Sequence, residues 1–344
     1  MLKLRKNSDA VFANTFKRYS KKEILEFVDP FKIRFKKNKI NPKKLFKGKK
    51  VLDFGCGNGR GALFMALNGA KNLHGLDISK INTLTTKENL KKFNYKIKVV
   101  NSPAEKSLFK DNSFDFVWCN GVIMHTETPS KVLSEIFRVL KPGGQSWIYV
   151  YGSNGLWWSV INELRKQLKT YKEKKIINCL INFGYKNRYI AEYLDDWKVL
   201  NLRTYKARDF ENSLKRLGAI KIKKCERGLD YDTSEKLFIT KDKAIYGEGD
   251  LRYLIKKKKI KNFIKKNSTK NNKKLNFNHY LKNNISQIYI KTIKSIFLKT
   301  KNSAQKKIRL SAKIQFELRR LLNRKKFDKE KFLEYLKKLN NDKS

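Results

Sequence analysis

The sequence predicts an α/β fold with a largely parallel sheet, and three observations carry that prediction. The apolar run Val51-Leu52-Asp53-Phe54 meets a loop with glycine at every second position from Gly55 to Gly61, and the helical pattern Ala62 to Leu67 follows. Further strand-like runs at Leu73–Ile78, Ile97–Val100 and Phe114–Val117 alternate with helical stretches. Pro129 to Leu140 then reads as a helix and Gln145 to Val150 as another strand. Such alternation places helices against a parallel sheet.

Taken in order, residues 1–48 form a basic extension, helical around Lys21 to Val28, where Ile24, Leu25 and Val28 share a face. Asp29-Pro30 interrupts that pattern. In the glycine loop, Gly55, Gly57 and Gly59 allow positive φ and close approach of a ligand to the backbone. The next helix offers free N–H groups and its positive end to an anion. A dinucleotide fingerprint fails, because Arg60 stands where the third glycine belongs. Asp53, two residues before the loop, is awkward for pyrophosphate but suits a ligand with an ammonium or sulfonium, as S-adenosylmethionine carries. Asp77 ends the second strand 24 positions after Asp53. Its carboxylate suits two ribose hydroxyls, or a helix N-cap, and the two roles are compatible.

The run Val51 to Gly61 resembles motif I of the class I S-adenosylmethionine-dependent methyltransferases. Three further blocks resemble the same family in the same order. They are Leu73 to Ile78, the stretch from Asn101 through Ser102-Pro103-Ala104-Glu105 to Val117, and Trp118 to Thr126 leading into Arg138-Val139-Leu140-Lys141-Pro142-Gly143-Gly144. The resemblance covers residues 51–151 and implies a Rossmann-like, mostly parallel seven-stranded sheet with helices on both faces. It also implies S-adenosylmethionine contacts at Asp53, Gly55, Cys56, Gly57, Asn58, Gly59, Asp77, Ile78, Ala104, Glu105, Asn120 and Gly121. The family's adenine-side loop carries an aspartate just before Ala-Glu. Ser102 and Pro103 stand there instead, which leaves the backbone at Ala104, or Glu105, to meet the adenine amine. In this family an N-terminal extension often folds over the cofactor.

Beyond the last block, residues 152–203 form an insertion rich in aromatics, expected to cover the acceptor side, with Trp157 and Trp158 either walling the acceptor pocket or packing on the sheet. Lys206 to Leu217 reads as a helix, Ala219 to Cys225 as a strand, and Leu237 to Thr240 as the last, reversed strand of the family's sheet. The methyltransferase domain is therefore expected over 49–249. Residues 250–344 form a Lys-rich helical region carrying about half of the net charge in roughly a quarter of the length. There Leu281, Ile285, Tyr289, Ile293 and Ile296 share one helical face, as do Ile314, Leu318, Leu321 and Leu322.

The formal charge is +50, from 81 Lys and Arg against 31 Asp and Glu. Lysine dominates beside abundant Asn, Ile, Phe and Tyr, so two explanations stand: the codon bias of an A/T-rich genome, or an RNA or anionic membrane partner reached through 250–344. Cys56, Cys119, Cys179 and Cys225 are scattered, which argues against a metal site or a disulfide partner. With no signal peptide or membrane-spanning run in view, a cytoplasmic protein is expected.

Methyl transfer from a sulfonium needs alignment more than covalent machinery. A hydroxyl acceptor would gain from a base, and His125, just past Asn120-Gly121, is the candidate; capping or orienting the next helix is its alternative role. Arg227, Asp230 and Asp232 follow the sixth strand and either contact substrate or form a solvated turn. The Asn-Pro-Pro-aromatic run of base-amine methyltransferases is missing, since Gly121-Val122 follows Asn120. Cys119 also lacks the proline of the cytosine-C5 enzymes. The expected reaction is methyl transfer to a small-molecule, lipid or glycan-type acceptor. An RNA methyltransferase and a non-catalytic cofactor-binding module are the alternatives.

Overall fold

The computed structural model describes residues 20–259, 284–300, 303–324 and 327–341. The chain divides into two compact units. The first holds residues up to Gly152 together with Arg203–Leu229 and the segment opening at Asp250. Its sheet has seven strands: β1 (Lys50–Phe54), β2 (Asn72–Asp77), β3 (Lys98–Asn101), β4 (Phe114–Asn120), β5 (Leu140–Tyr151), β6 (Ala219–Lys224) and β7 (Asp250–Lys257). Their order is β3-β2-β1-β4-β5-β7-β6, parallel throughout except that β7 is antiparallel to both β5 and β6. The chain thus winds outward from β1 in one direction, then from β4 in the other. The crevice between those two carboxyl ends is where open α/β sheets bind ligands.

Three sequence expectations change. The reversed strand is β7, not Leu237–Thr240, so the sheet extends past the boundary expected at 249. Thr233–Thr240 is a helix, opened by Asp232 with Glu235 in its first turn and closed by Lys241 in the left-handed region (φ 57°). The cations of β7 disguise it as part of the Lys-rich region, yet Arg252 and Lys257 are buried. The Lys257 ammonium donates to the carbonyls of Phe137 (2.6 Å) and Leu140 (2.7 Å) and to Asn112 (3.1 Å). Second, β5 starts at Leu140 and carries Pro142-Gly143-Gly144 within it, as an irregularity in its pairing with β4.

Third, the N-terminal helix runs through Pro30, from Lys21 to Lys37, opened by a Ser20–Glu23 capping box. One backbone hydrogen bond is lost at Pro30. Ile24, Val28, Phe31 and Phe35 are the helix's buried face, packed in a core on one side of the sheet. Phe31 meets Trp118 edge-on at 4.9 Å, Phe35 meets Phe64 at 5.0 Å, and Trp118 stacks on Trp147 at 5.4 Å. The opposite face packs the helices Pro129–Val139 and Ala207–Arg216 through Val132, Leu133, Ile136, Phe210 and Leu214. Residues 1–19 of the expected extension lie outside the described residues.

The second unit is helical and holds Ser153–Leu202, Asp230–Gly249 and the residues beyond His279. The expected insertion folds here as three helices, Gly155–Leu168, Glu173–Asn182 and Asn187–Lys198. The C-terminal helices are Asn284–Leu298, Ala304–Leu322 and Lys329–Asn341. Of the first expected face, Tyr289, Ile293 and Ile296 are buried; Leu281 and the Ile285 side chain lie outside the described residues. Ile314, Leu318, Leu321 and Leu322 are all buried. No helix among the described residues is long and apolar enough to cross a membrane.

In this unit Gln315 accepts from the Trp197 indole at 2.5 Å and donates to Asp196 at 2.6 Å. Burial pushes the Asp196 carboxyl up to about 8, against the pull of Arg319. An unfolded aspartate titrates about four units lower, so over that window the unfolded chain binds fewer protons than the folded one. Stability therefore falls as pH rises.

Two stability measurements check this packing. Phe35→Ala is expected to cost about 3–5 kcal/mol in urea unfolding, the loss usual for a buried aromatic truncated in a close-packed core. Across pH 5 to 8, Asp196→Asn is expected to flatten the decline in stability by about 1 kcal/mol per pH unit. An unchanged slope would remove Asp196 as its source.

Candidate functional site

The glycine loop leaves β1 and crosses the end of β2. The amides of Gly55 and Cys56 both donate to the Leu76 carbonyl, at 2.7 and 2.9 Å. Gly55, Gly57 and Gly59 have φ of 79°, 52° and 82°. A Cβ on Gly55 would strike Val122 at 2.3 Å, and one on Gly59 would strike Leu90 at 2.9 Å. A Cβ on Gly57 would meet nothing within 4 Å. Gly55 and Gly59 are thus required by the protein's own packing, while Gly57 faces open space.

Asp77 fixes the loop. Its Oδ2 accepts from the Gly57 amide at 2.9 Å, and Oδ1 accepts from the Ser79 amide at 2.9 Å and the Asn82 side chain at 3.2 Å. The next helix (Lys80–Lys91) completes the cradle with buried polar side chains. Thr86 donates to the Gly57 carbonyl at 2.9 Å and Asn89 to the Asn58 carbonyl at 3.0 Å. The separate role as N-cap belongs to Ser79, which accepts from the Asn82 amide.

Asp53 does not stand at the loop mouth. It is 3% exposed, and its Oδ2 accepts from the Ala62 amide at 2.7 Å, clamping the first turn of the helix Arg60–Leu67. Burial pushes its carboxyl up to about 7. Gly61 is needed for this approach, since a Cβ there would lie 2.7 Å from Trp118 and 2.8 Å from Asp53. Burial likewise raises the Cys56 and Cys119 thiols, so neither is a reactive thiolate.

Ile78 is 45% exposed just past β2, and Asn101 steadies it by donating to the carbonyls of Asp77 (3.0 Å) and Ile78 (2.8 Å). Ala104 and Glu105 sit half-buried in the loop after β3. That loop is held from behind. Glu135 accepts from the Ser107 amide at 2.7 Å, and Arg138 donates to the Phe109 carbonyl at 2.8 Å while pairing with Glu135 and Asp111. The arginine of the Arg-Val-Leu-Lys-Pro-Gly-Gly block is therefore a brace for the loop.

At the end of β4, Asn120 accepts from the Trp147 indole at 3.0 Å. Gly121 (φ 81°) faces space in which a Cβ would meet only Tyr149, at 3.9 Å. His125 lies in a short 3-10 turn, Ile123–His125, with its ring edge-on to Tyr151 at 5.6 Å. Tyr151 in turn meets Tyr149 at 5.8 Å. The Tyr149 hydroxyl donates to Asp250 at 2.9 Å, and Arg252 pairs with Asp250 and lies 4.8 Å over the Tyr149 ring. Burial and Asp250 hold the Tyr149 phenol well above its usual range, hence neutral. Tyr149, Tyr151, Asp250 and Arg252 are the residues that sequence reasoning missed. The i, i+2 tyrosines at the end of β5 were a usable signal, whereas Asp250 and Arg252 were hidden with β7.

The remaining expected acceptor-side residues do not gather in one unit. Arg227 follows β6 at the sheet edge, two strands from β5, and its backbone pairs with the Asn38 side chain at 2.6 and 3.3 Å. Trp157, Trp158, Asp230 and Asp232 belong to the helical unit. There Arg319 lies 5.0 Å over the Trp157 ring, Trp158 is buried, and Asp232 opens the helix Thr233–Thr240. Among the described residues no cluster of three or more His, Cys, Asp or Glu could hold a metal.

Comparison with known proteins agrees with this geometry. Residues 52–148 match the model of a family described as a methyltransferase domain. Phosphoethanolamine N-methyltransferase 2 of Caenorhabditis elegans is 33% identical over 125 residues, covering 36% of this chain and 27% of that protein. The sterol 24-C-methyltransferase of Schizosaccharomyces pombe is 38% identical over 107 residues, covering 30% and 28%. The ubiquinone biosynthesis O-methyltransferase of Dechloromonas aromatica is 35% identical over 111 residues, covering 31% and 46%. The chain thus spans less than half the length of each of these relatives. With β1, the glycine loop, Asp77 and the β4 end all inside the matched segment, residues 52–148 are a methyltransferase domain of the class I S-adenosylmethionine-dependent type.

Proposed function

We propose that this chain transfers the methyl group of S-adenosylmethionine to a small-molecule, lipid or glycan-type acceptor. One observation carries the reading. Gly57 and Gly121, at the carboxyl ends of neighbouring strands, both have positive φ and both face space large enough for a Cβ. A backbone shaped this way without an internal steric reason fits a ligand laid across the sheet's switch point.

In this reading Asp77 accepts the ribose hydroxyls, Ile78 covers one face of adenine, and Ala104 and Glu105 border its edge. Gly55 to Gly59, with Asn120 and Gly121, form the backbone walls. Asp53 acts at one remove, by fixing the helix that follows the loop and by keeping that helix end electronegative when ionised. The bound donor supplies an already activated methyl group. What remains for the chain is to hold the acceptor in line and to keep water out. The row His125, Tyr151, Tyr149 lies beside Gly121 and is the acceptor side, with His125 the candidate base for a hydroxyl acceptor. The relatives act on nitrogen, carbon and oxygen acceptors according to their names.

Calorimetry with S-adenosylmethionine is expected to give saturable heat. Asp77→Ala is expected to weaken it by roughly 1.5–3 kcal/mol per lost charged hydrogen bond. Two glycine variants separate ligand from scaffold. Gly57→Ala is expected to lower cofactor affinity at least tenfold while costing only about 1 kcal/mol of stability. Gly61→Ala is expected to lose more stability, because its methyl has no room. Equal effects on stability would remove the cradle from the argument. With labelled methyl donor and fractionated extract, counts are expected in small molecules, lipid or carbohydrate. Counts in RNA would replace the acceptor class, and cofactor heat with no transfer anywhere would leave a binding module.

A further inference from the structure

The helical unit contains a groove of about 1060 Å³, at the upper end of ordinary small-ligand sites. Its floor is apolar, with Trp197, Val199 and Ile290, and Leu200 stands 55% exposed at its side. Its rim is cationic. Lys166 and Lys169 come from the end of the helix Gly155–Leu168, and Lys291 and Lys294 come from one face of Asn284–Leu298.

The cations here fall into two kinds. Arg165 and Lys198 are committed to the fold. Arg165 donates to the carbonyls of Asp196 (2.7 Å) and Val199 (2.6 Å), and Lys198 to that of Tyr171 (2.9 Å). The four lysines have no such duty. Lys166 reaches the one acidic lining residue, Glu163, only at 4.0 Å. All four are exposed. Four exposed ammonium groups around one concavity raise the local positive potential, which favours an anion there.

We infer that this groove binds an amphiphile with an apolar chain and a phosphate head. The chain lies along Leu200 and Ile290, the apolar lining residues with accessible surface, and the head sits among the lysines, which act as point charges toward phosphate. Two features disfavour a nucleic-acid strand. The groove floor is apolar, and its one aromatic ring, Trp197, is 2% exposed with its N–H bound to Gln315, so it offers no stacking platform. This inference is independent of the methyl-transfer reading, because every residue it uses lies in the helical unit.

The test titrates the full chain with octyl phosphate, below its micelle-forming concentration, in a calorimeter. Octyl glucoside, inorganic phosphate and a short single-stranded RNA serve as comparisons. One equivalent of octyl phosphate is expected to bind, more weakly as salt is added. Lys291→Glu with Lys294→Glu is expected to weaken it roughly tenfold, as loss and reversal of two rim charges imply. The milder pair, Lys291→Gln with Lys294→Gln, is expected to move the same way with an unchanged circular dichroism spectrum. Leu200→Ser, which removes apolar surface without adding charge, is expected to weaken octyl phosphate without affecting inorganic phosphate. Equal binding of octyl glucoside or of inorganic phosphate would overturn the proposal. So would RNA binding that responds to the lysine pair while octyl phosphate binding does not.

Discussion

Asp77 fastens the glycine loop and the start of the following helix to the end of β2, and the shape of the glycine loop depends on it. One oxygen holds the loop through the Gly57 amide, and the other holds the start of the following helix through Ser79 and Asn82. The carboxylate is 8% exposed, so its desolvation must be offset by those charge-assisted bonds. In the proposed reading, placing a ribose diol at the same carboxylate would be an exchange. The longest of the three bonds, from Asn82 at 3.2 Å, is the one a ligand hydroxyl displaces with least loss to the loop. The proposed recognition and the loop geometry would therefore be coupled through a single side chain.

The loop can be shaped so closely because what lies beneath it is rigid. Phe31, Phe35, Phe46, Phe64, Trp118 and Trp147 form a continuous aromatic layer under β1 and β4. Gly61 lets the helix Arg60–Leu67 settle directly on Trp118, and the Ala62 amide then reaches the buried Asp53. A carboxyl pushed up to about 7 by burial is an expensive way to hold a helix end. Its position explains the cost: the same strand must end in the loop, so the clamp has to sit under it. The N-terminal helix carries Pro30 for a related reason, since its four buried apolar side chains outweigh one missing backbone bond.

How much of this the residues announced depends on the range of the interaction that decides it. The glycine turn after β1, the strand ending in Asp77 and the succession of the first five strands are local patterns, readable from spacing, and the fold has them. The orientation of Asp53 was not readable, because alternation along a strand says which face a side chain takes but not which amide it will meet. β7 was hidden by its own cations. Lys257 counts as surface until Phe137 and Leu140, more than a hundred residues earlier in the chain, supply the carbonyls that accept its protons. Thr233–Thr240 misled in the opposite sense: Leu237 to Thr240 has strand-like residues, but Asp232 and Glu235 at its start favour the helix.

The same distinction divides the charge. A composition of 81 cationic residues cannot say which of them are decorative. Geometry can, because a cation with fixed carbonyl partners has been recruited by the fold whatever its origin. Lys236, donating to the carbonyls of Asn323 (2.8 Å) and Arg324 (2.7 Å), is of that kind, as are Lys198 and Lys257. These side chains end helices and brace strands, duties that elsewhere fall to neutral donors. Whatever the origin of the lysine abundance, the fold has put part of it to use. The rim formed by Lys166, Lys169, Lys291 and Lys294 has no such bracing duty, and it is there that the proposed ligand would give the charge a use.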